Sequence, residues 1–229
     1  MSTVRIAVTS TAARAGSLSS ALAALGFDAI SLPCLRAEVS GAGQLARARA
    51  ACEDADLIVL SSPRPIGLLW EEGFPQVPAA VCGPNTADEV EKRGGEIWAS
   101  TSGNVVQLSR IIAPHLPGKT VAYPHARGVD PRAITALGDA ASGLTAVAVY
   151  ELLPEPPPRE PVDGVVFCHP RAVDGWLLSR GLANLFVVTV GRATMGALGR
   201  HGRRPDLALR PADDQSLASA MFHASRAAV

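Results

Sequence analysis

The sequence predicts an α/β protein built from two copies of one unit, each a parallel sheet with helices on both faces. Three observations carry this. Short β-rich runs alternate with helical runs along the whole chain, the pattern of strand–helix–strand units. The run 56–60 (DLIVL) is almost continuously apolar, as a strand covered on both faces must be. Special residues also recur at a near-constant spacing. Asp56 and Asp163, Pro63 and Pro170, and Arg64 and Arg171 lie 107 positions apart, and Gly83 and Gly191, Thr86 and Thr194, and Gly94 and Gly202 lie 108 apart. One duplication accounts for such an offset, and a repeat of half the chain excludes a solenoid.

The elements follow in order. Residues 4–8 (VRIAV) read as a strand and 13–25 as a helix with Leu18, Ala21, Leu22 and Leu25 on one stripe, stopped at Gly26. A strand over 27–32 ends at Pro33. The rest of the first copy reads as helix 45–54, strand 56–60, helix 66–72, strand 78–82, helix 87–93 stopped at Gly94, strand 97–99 and helix 104–115. The series then restarts: strand 119–123, helix 131–137 and strand 145–153, followed by a stiff Pro-rich connector over 154–161 (PEPPPREP). Strand 162–167, helix 172–181, strand 185–190, helix 195–201, strand 206–209 and helix 215–228 complete it.

Composition narrows the function. Aromatics are 4% of residues, so the core must be aliphatic. Lys plus Arg and Asp plus Glu are 21 each, which argues against a global attraction to nucleic acid or an anionic membrane. Cys34, Cys52, Cys82 and Cys168 are far apart, and His115, His125, His201 and His223 show no metal-ligand spacing. The cysteines read as buried small hydrophobes of a reducing compartment. With no signal-type start and no membrane-length apolar run, the expectation is a cytoplasmic protein. Neither a phosphate loop nor a Gly-x-Gly-x-x-Gly turn is present, so no cofactor is expected.

Two repeated motifs follow strands directly and so fall at the carboxyl edge of the sheets, where ligands of open parallel sheets bind. Two similar lobes also suggest a cleft between them. Gly83-Pro84-Asn85-Thr86 and Gly191-Arg192-Ala193-Thr194 each open a helix, whose first amides and dipole suit an anion. Thr86 and Thr194 would then contact a ligand, or merely cap their helices. Ser61-Ser62-Pro63-Arg64 and Cys168-His169-Pro170-Arg171 place a polar residue and an Arg beside a rigid exit, or form simple solvated turns. His169 reads as a polar contact or surface residue sooner than an acid or base, because no nucleophile elbow accompanies it. Tyr150 ends a strand just before the Pro-rich stretch. It can donate a proton to a leaving group or pack its ring at a strand end.

The stretches 57–66 (LIVLSSPRPI), 81–87 (VCGPNTA), 146–150 (AVAVY), 165–173 (VVFCHPRAV) and 190–198 (VGRATMGAL), in that order, resemble uroporphyrinogen-III synthase along nearly the whole chain. The resemblance implies two flavodoxin-like lobes with parallel sheets joined by a two-stranded linker. One lobe would hold 1–33 plus 161–229 and the other 38–153, with crossovers at 34–37 and 154–160. It implies a cofactor-free monomer that cyclises hydroxymethylbilane to uroporphyrinogen III with loss of water and inversion of ring D. Tyr150 matches the family's candidate acid. Ser62, Arg64, Asn85, Thr86, Gly128, His169, Arg171 and Thr194 would bind the substrate's carboxylates. The chain departs from the family in having Thr9-Ser10-Thr11 for Thr-Arg-Pro, His169-Pro170-Arg171 for Ser-Pro-Ser, and Gly191-Arg192-Ala193-Thr194 for Gly-Pro-x-Thr. The alternatives are a non-catalytic tetrapyrrole-binding or regulatory relative on the same fold and, from another class, a two-lobed small-solute binding protein.

Overall fold

The computed structural model describes residues 4–210 and 214–227. The apolar runs become β1 (Arg5–Thr9), β2 (Asp28–Ser31), β3 (Leu35–Val39), β4 (Leu57–Leu60), β5 (Ala79–Cys82), β6 (Ile97–Thr101), β7 (Thr120–Ala126), β8 (Gly143–Pro154), β9 (Gly164–Phe167), β10 (Phe186–Val190) and β11 (Leu207–Leu209). Between them run α1 (Ala12–Ala23), α2 (Ala42–Glu53), α3 (Arg64–Leu69), α4 (Pro84–Lys92), α5 (Val105–Ile112), α6 (Pro131–Ala140), α7 (Pro170–Leu177), α8 (Arg192–Arg200) and α9 (Asp214–Ala227).

Two sheets result, ordered β11-β10-β9-β1-β2 and β3-β8-β7-β4-β5-β6. The registered neighbours are parallel throughout. Edge strand β3 runs against β8: the amide of Glu155 donates to the Cys34 carbonyl, and that of Ser40 donates to the Val149 carbonyl. The chain divides into two compact units, 1–37 with 152–229 and 38–151. Both divisions between units fall inside β3 and β8.

Each sheet is buried by the two-residue alternation of its strands. In the first unit, Ala7, Val165, Phe167 and Val187 point to one face, under Trp176 and Ala172 of α7. Their chain neighbours Ile6, Val8, Val166 and Val188 point to the other, under Leu18 and Leu22 of α1 and Leu217 and Met221 of α9. In the second unit, Leu57, Val59, Val121 and Tyr123 pack with Leu108 and Ile112 of α5, while Ile58 and Leu60 are fully buried between them in sequence. Burying each such aliphatic side chain stabilises the fold by about 1.5–3 kcal/mol.

The duplication is visible atom by atom. A carboxylate oxygen of Asp56 accepts from the amide and hydroxyl of Thr120, at 2.7 and 2.8 Å. The equivalent Asp163 accepts from the amide of Arg5 at 2.8 Å. Both tie the amino end of β4 or β9 to its sheet neighbour, β7 or β1. Gly83 and Gly191 enter their helices at φ 78 and 86, a region that glycine takes without strain.

Some elements differ from the sequence reading. Strand β3 occupies part of 34–37, read above as crossover. It is a polar edge strand of burial pattern buried–exposed–intermediate–exposed–exposed, and it carries little hydrophobic signal. Helix α3 stops at Leu69 instead of reaching residue 72, because Trp70 turns extended (φ −135, ψ 117). Helices α4 and α8 start at Pro84 and Arg192, earlier than residues 87 and 195. The Gly-x-x-Thr motifs are therefore the first helical turn itself.

Candidate active site

Strand order decides where a ligand can approach. In the second unit, the connections from β4 lead to β5 and β6 on one side, and those from β7 lead to β8 on the other. The direction reverses between β4 and β7, and the crevice beyond the carboxyl ends at such a reversal is the usual ligand position of an open α/β sheet. Ser61 and Ser62 leave β4 at this place. Pro63 and Arg64 then start α3, with the proline ring setting φ at −71.

The two serines meet the chain's two tyrosines. Tyr150 of β8 shares a 3.0 Å hydrogen bond with the Ser62 hydroxyl, in which either oxygen can donate. Tyr123 of β7 donates to the Ser61 hydroxyl at 3.0 Å. The Arg64 guanidinium lies 5.4 Å from the centre of the Tyr150 ring, within reach of a cation–π attraction. Tyr150 is 5% exposed and Tyr123 fully buried, and burial pushes the Tyr123 phenol well above its ordinary pKa. Beside them, the His125 ring sits 4.9 Å from that of Tyr123. Its Nδ1 lies 2.8 Å from the Ala126 carbonyl, which can only accept, so Nδ1 carries the proton. Burial lowers the His125 pKa.

The remaining residues of this edge vary in access. Asn85 is exposed on the first turn of α4. Gly128 is exposed in the turn after β7, at φ 81. Thr86 and Thr194 are each only 2% exposed. The caps of their helices are Gly83 and Gly191, so the expectation that either Thr caps its helix is corrected. Both are the third residue of the helix and face inward, and a ligand would meet the exposed turn around them more than their hydroxyls.

The first unit builds the equivalent edge with other chemistry. His169 is the cap of α7: its Nδ1 accepts from the Arg171 amide at 3.1 Å, leaving Nε2 to hold the proton. Burial, with the Arg171 charge adding to it, pushes the His169 pKa down to about 4. Arg171 donates to the Leu152 carbonyl at 2.6 Å. Thr9 is fully buried and donates to the Val166 carbonyl at 2.8 Å.

The structure thus joins Ser62, Arg64 and Tyr150 in one cluster. Asn85, Thr86 and Gly128 lie on neighbouring turns of the same edge, and His169, Arg171 and Thr194 lie on the corresponding edge of the other unit. Sequence reasoning missed Tyr123 as the partner of Ser61. The available signal was that the only two tyrosines stand near the ends of strands 119–123 and 145–153. Among the described residues, no cluster of His, Cys, Asp and Glu could hold a metal, and no helix is long and apolar enough to cross a membrane. Burial raises the thiols of Cys34, Cys52 and Cys82 to about 12, the behaviour of inert core residues.

Two mostly parallel sheets of this order, with helices on both faces, define an α/β protein of two compact units. Solved structures share it. A mutant uroporphyrinogen III synthase from the extremely thermophilic bacterium Thermus thermophilus matches with a TM-score of 0.59 over 97% of this chain and 99% of that one, at 19% identity. The uroporphyrinogen-III synthetase of Helicobacter pylori matches with 0.63 over 95% and 99%, at 14% identity. At such identities the likeness establishes the fold. No curated protein matches the sequence significantly. The sequence profile described as Uroporphyrinogen-III synthase HemD matches residues 16–163, more than half of the chain. The protein belongs to the uroporphyrinogen-III synthase family, a family of tetrapyrrole synthesis.

Proposed function

We propose that this chain is a uroporphyrinogen-III synthase, a lyase that closes hydroxymethylbilane to uroporphyrinogen III with loss of water and inversion of ring D. The observation that carries the reading is the Tyr150 phenol, held 3.0 Å from the Ser62 hydroxyl at the switch point of the second sheet, in a chain of this family. Loss of hydroxide from the linear tetrapyrrole needs a proton on the leaving oxygen. Tyr150 donates it, and the departing water leaves an azafulvene. The substituted α-carbon of ring D then attacks the azafulvene methylene to form a spiro intermediate. Its bond to the old bridging methylene breaks, the free α-carbon of ring D closes onto that methylene with the ring inverted, and the proton lost there balances the one Tyr150 gave. Acid assistance of this kind contributes about 10²–10⁴-fold. Holding a flexible chain in the closing geometry supplies much of the remainder.

The substrate's carboxylates call for cations and hydrogen-bond donors. Arg64, Asn85, Ser62, the turn at Gly128, His169 and Arg171 are the residues proposed to supply them. Around Thr86 and Thr194, the exposed first turns of α4 and α8 offer further donors. The reading includes a cytoplasmic monomer that works without a cofactor, as the family resemblance implies. The experiment supplies hydroxymethylbilane freshly made by the enzyme that precedes this step and separates the I and III isomers after oxidation. Isomer III above the no-enzyme control supports the reading. Isomer I alone overturns it and leaves the non-catalytic tetrapyrrole-binding alternative.

A further inference from the structure

Of the two tyrosines, one has a role in the reading above and the other has none. Tyr123 is fully buried in the core formed with Leu57, Val59 and Val121, so it touches no ligand. A buried phenol requires a hydrogen-bond partner, and a backbone carbonyl would satisfy it. Tyr123 instead donates to Ser61 at 3.0 Å, the hydroxyl adjacent in the chain to the one that holds Tyr150 at 3.0 Å. The two serines are locked between the end of β4 and the fixed φ of Pro63. A movement of Ser61 is therefore passed to Ser62 with little room to dissipate.

We infer that Tyr123, acting through Ser61, is a positioning residue that fixes the Ser61-Ser62 turn and so sets the direction of the Tyr150 phenol. The inference rests on the reading of Tyr150 as the proton donor. A donor must meet the leaving oxygen within hydrogen-bond reach, and small misplacements are costly in rate. Tyr123 itself never meets the substrate.

The test is a set of single and paired variants of the full chain. Tyr123→Phe keeps the ring in the core and removes only the hydroxyl, and Ser61→Ala opens the same hydrogen bond from the other side. Each lowers kcat about tenfold with KM changed by less than about twofold. The discriminating arm repeats Tyr123→Phe in a Tyr150→Phe background, where no further loss of kcat is expected, because residues acting as one unit are not additive. A tenfold loss in both backgrounds shows a merely structural role and overturns the inference. A second readout is independent of turnover. With two tyrosines in the chain, labelling tyrosine with carbon-13 at the ζ position gives two signals, and Tyr123→Phe leaves that of Tyr150 alone. The inference expects that signal to move from its wild-type position. An unmoved signal overturns it, whereas a moved signal in a chain that forms no isomer III sinks the enzymatic reading and leaves the hydroxyl coupling standing.

Discussion

The chain leaves β4 and β9 by the same turn and fills it with different chemistry. After β4, the hydroxyls of Ser61 and Ser62 engage Tyr123 and Tyr150. After β9, His169 uses Nδ1 to cap α7, and Arg171 directs a guanidinium N–H to the Leu152 carbonyl. The frame around both is shared, down to the aspartates that tie the amino ends of the strands and the left-handed glycines that open α4 and α8. Duplication preserved what the backbone needs. The polar side chains at the carboxyl edge differ, a serine–tyrosine cluster in one copy and a histidine cap in the other.

The largest expected effect tests that asymmetry. Tyr150→Phe lowers kcat for isomer III formation by about 10²–10⁴-fold, while the thermal midpoint shifts by no more than a few degrees. Equal proportional losses of activity and folded protein would return Tyr150 to a packing role. Tyr123→Phe, at about tenfold, comes next in rate and breaks the same cluster from behind.

A stability comparison follows. Gly175 of α7 has no room for a side chain: a Cβ there would lie 2.3 Å from the Cys34 carbonyl oxygen and 2.9 Å from that of Glu155. At Gly67 in α3, the nearest atom is a terminal Arg93 nitrogen at 4.0 Å. Gly175→Ala therefore destabilises the protein by about 3 kcal/mol, and Gly67→Ala changes stability by less than about 0.5 kcal/mol. Chemical denaturation of the two variants beside wild type checks this, and similar midpoints for both would contradict the close approach at Gly175.

A last effect is in pH. The His169 pKa is about 4 in the fold against 6.5 in the unfolded chain. Between these values the unfolded state binds the extra proton, so stability rises with pH. The contribution is complete above about pH 6.5 and is lost as pH falls towards 4, by about 3 kcal/mol. His125 slopes in the same direction, so the variant His169→Asn isolates one of the two. Asparagine keeps a capping acceptor and flattens the curve. An unchanged slope in that variant would show that His169 does not titrate as its burial requires.

Much of this was legible in the sequence, for reasons that also explain what was not. Strands such as 56–60 announce themselves because burial on both faces demands continuous apolar residues. The repeat announces itself through residues with backbone duties, such as Gly83 and Gly191. Strand β3 escaped notice because an edge strand with one solvated face needs no apolar run. The inward orientation of Thr86 depends on where α4 starts, which the sequence reading placed three residues late. The Tyr123–Ser61 bond joins residues of different strands, and only the β8-β7-β4 order brings them together.

The central claim is that the chemistry belongs to the Ser62–Tyr150 edge and not to its counterpart at His169. The most direct test incubates wild type, Tyr150→Phe and His169→Asn with fresh hydroxymethylbilane and compares the kcat for isomer III. The account predicts isomer III from wild type, a loss of about 10²-fold or more in Tyr150→Phe, and in His169→Asn, which removes a binding contact and not the acid, a raised KM with a kcat within about threefold of wild type. Full turnover by Tyr150→Phe together with a dead His169→Asn would contradict it.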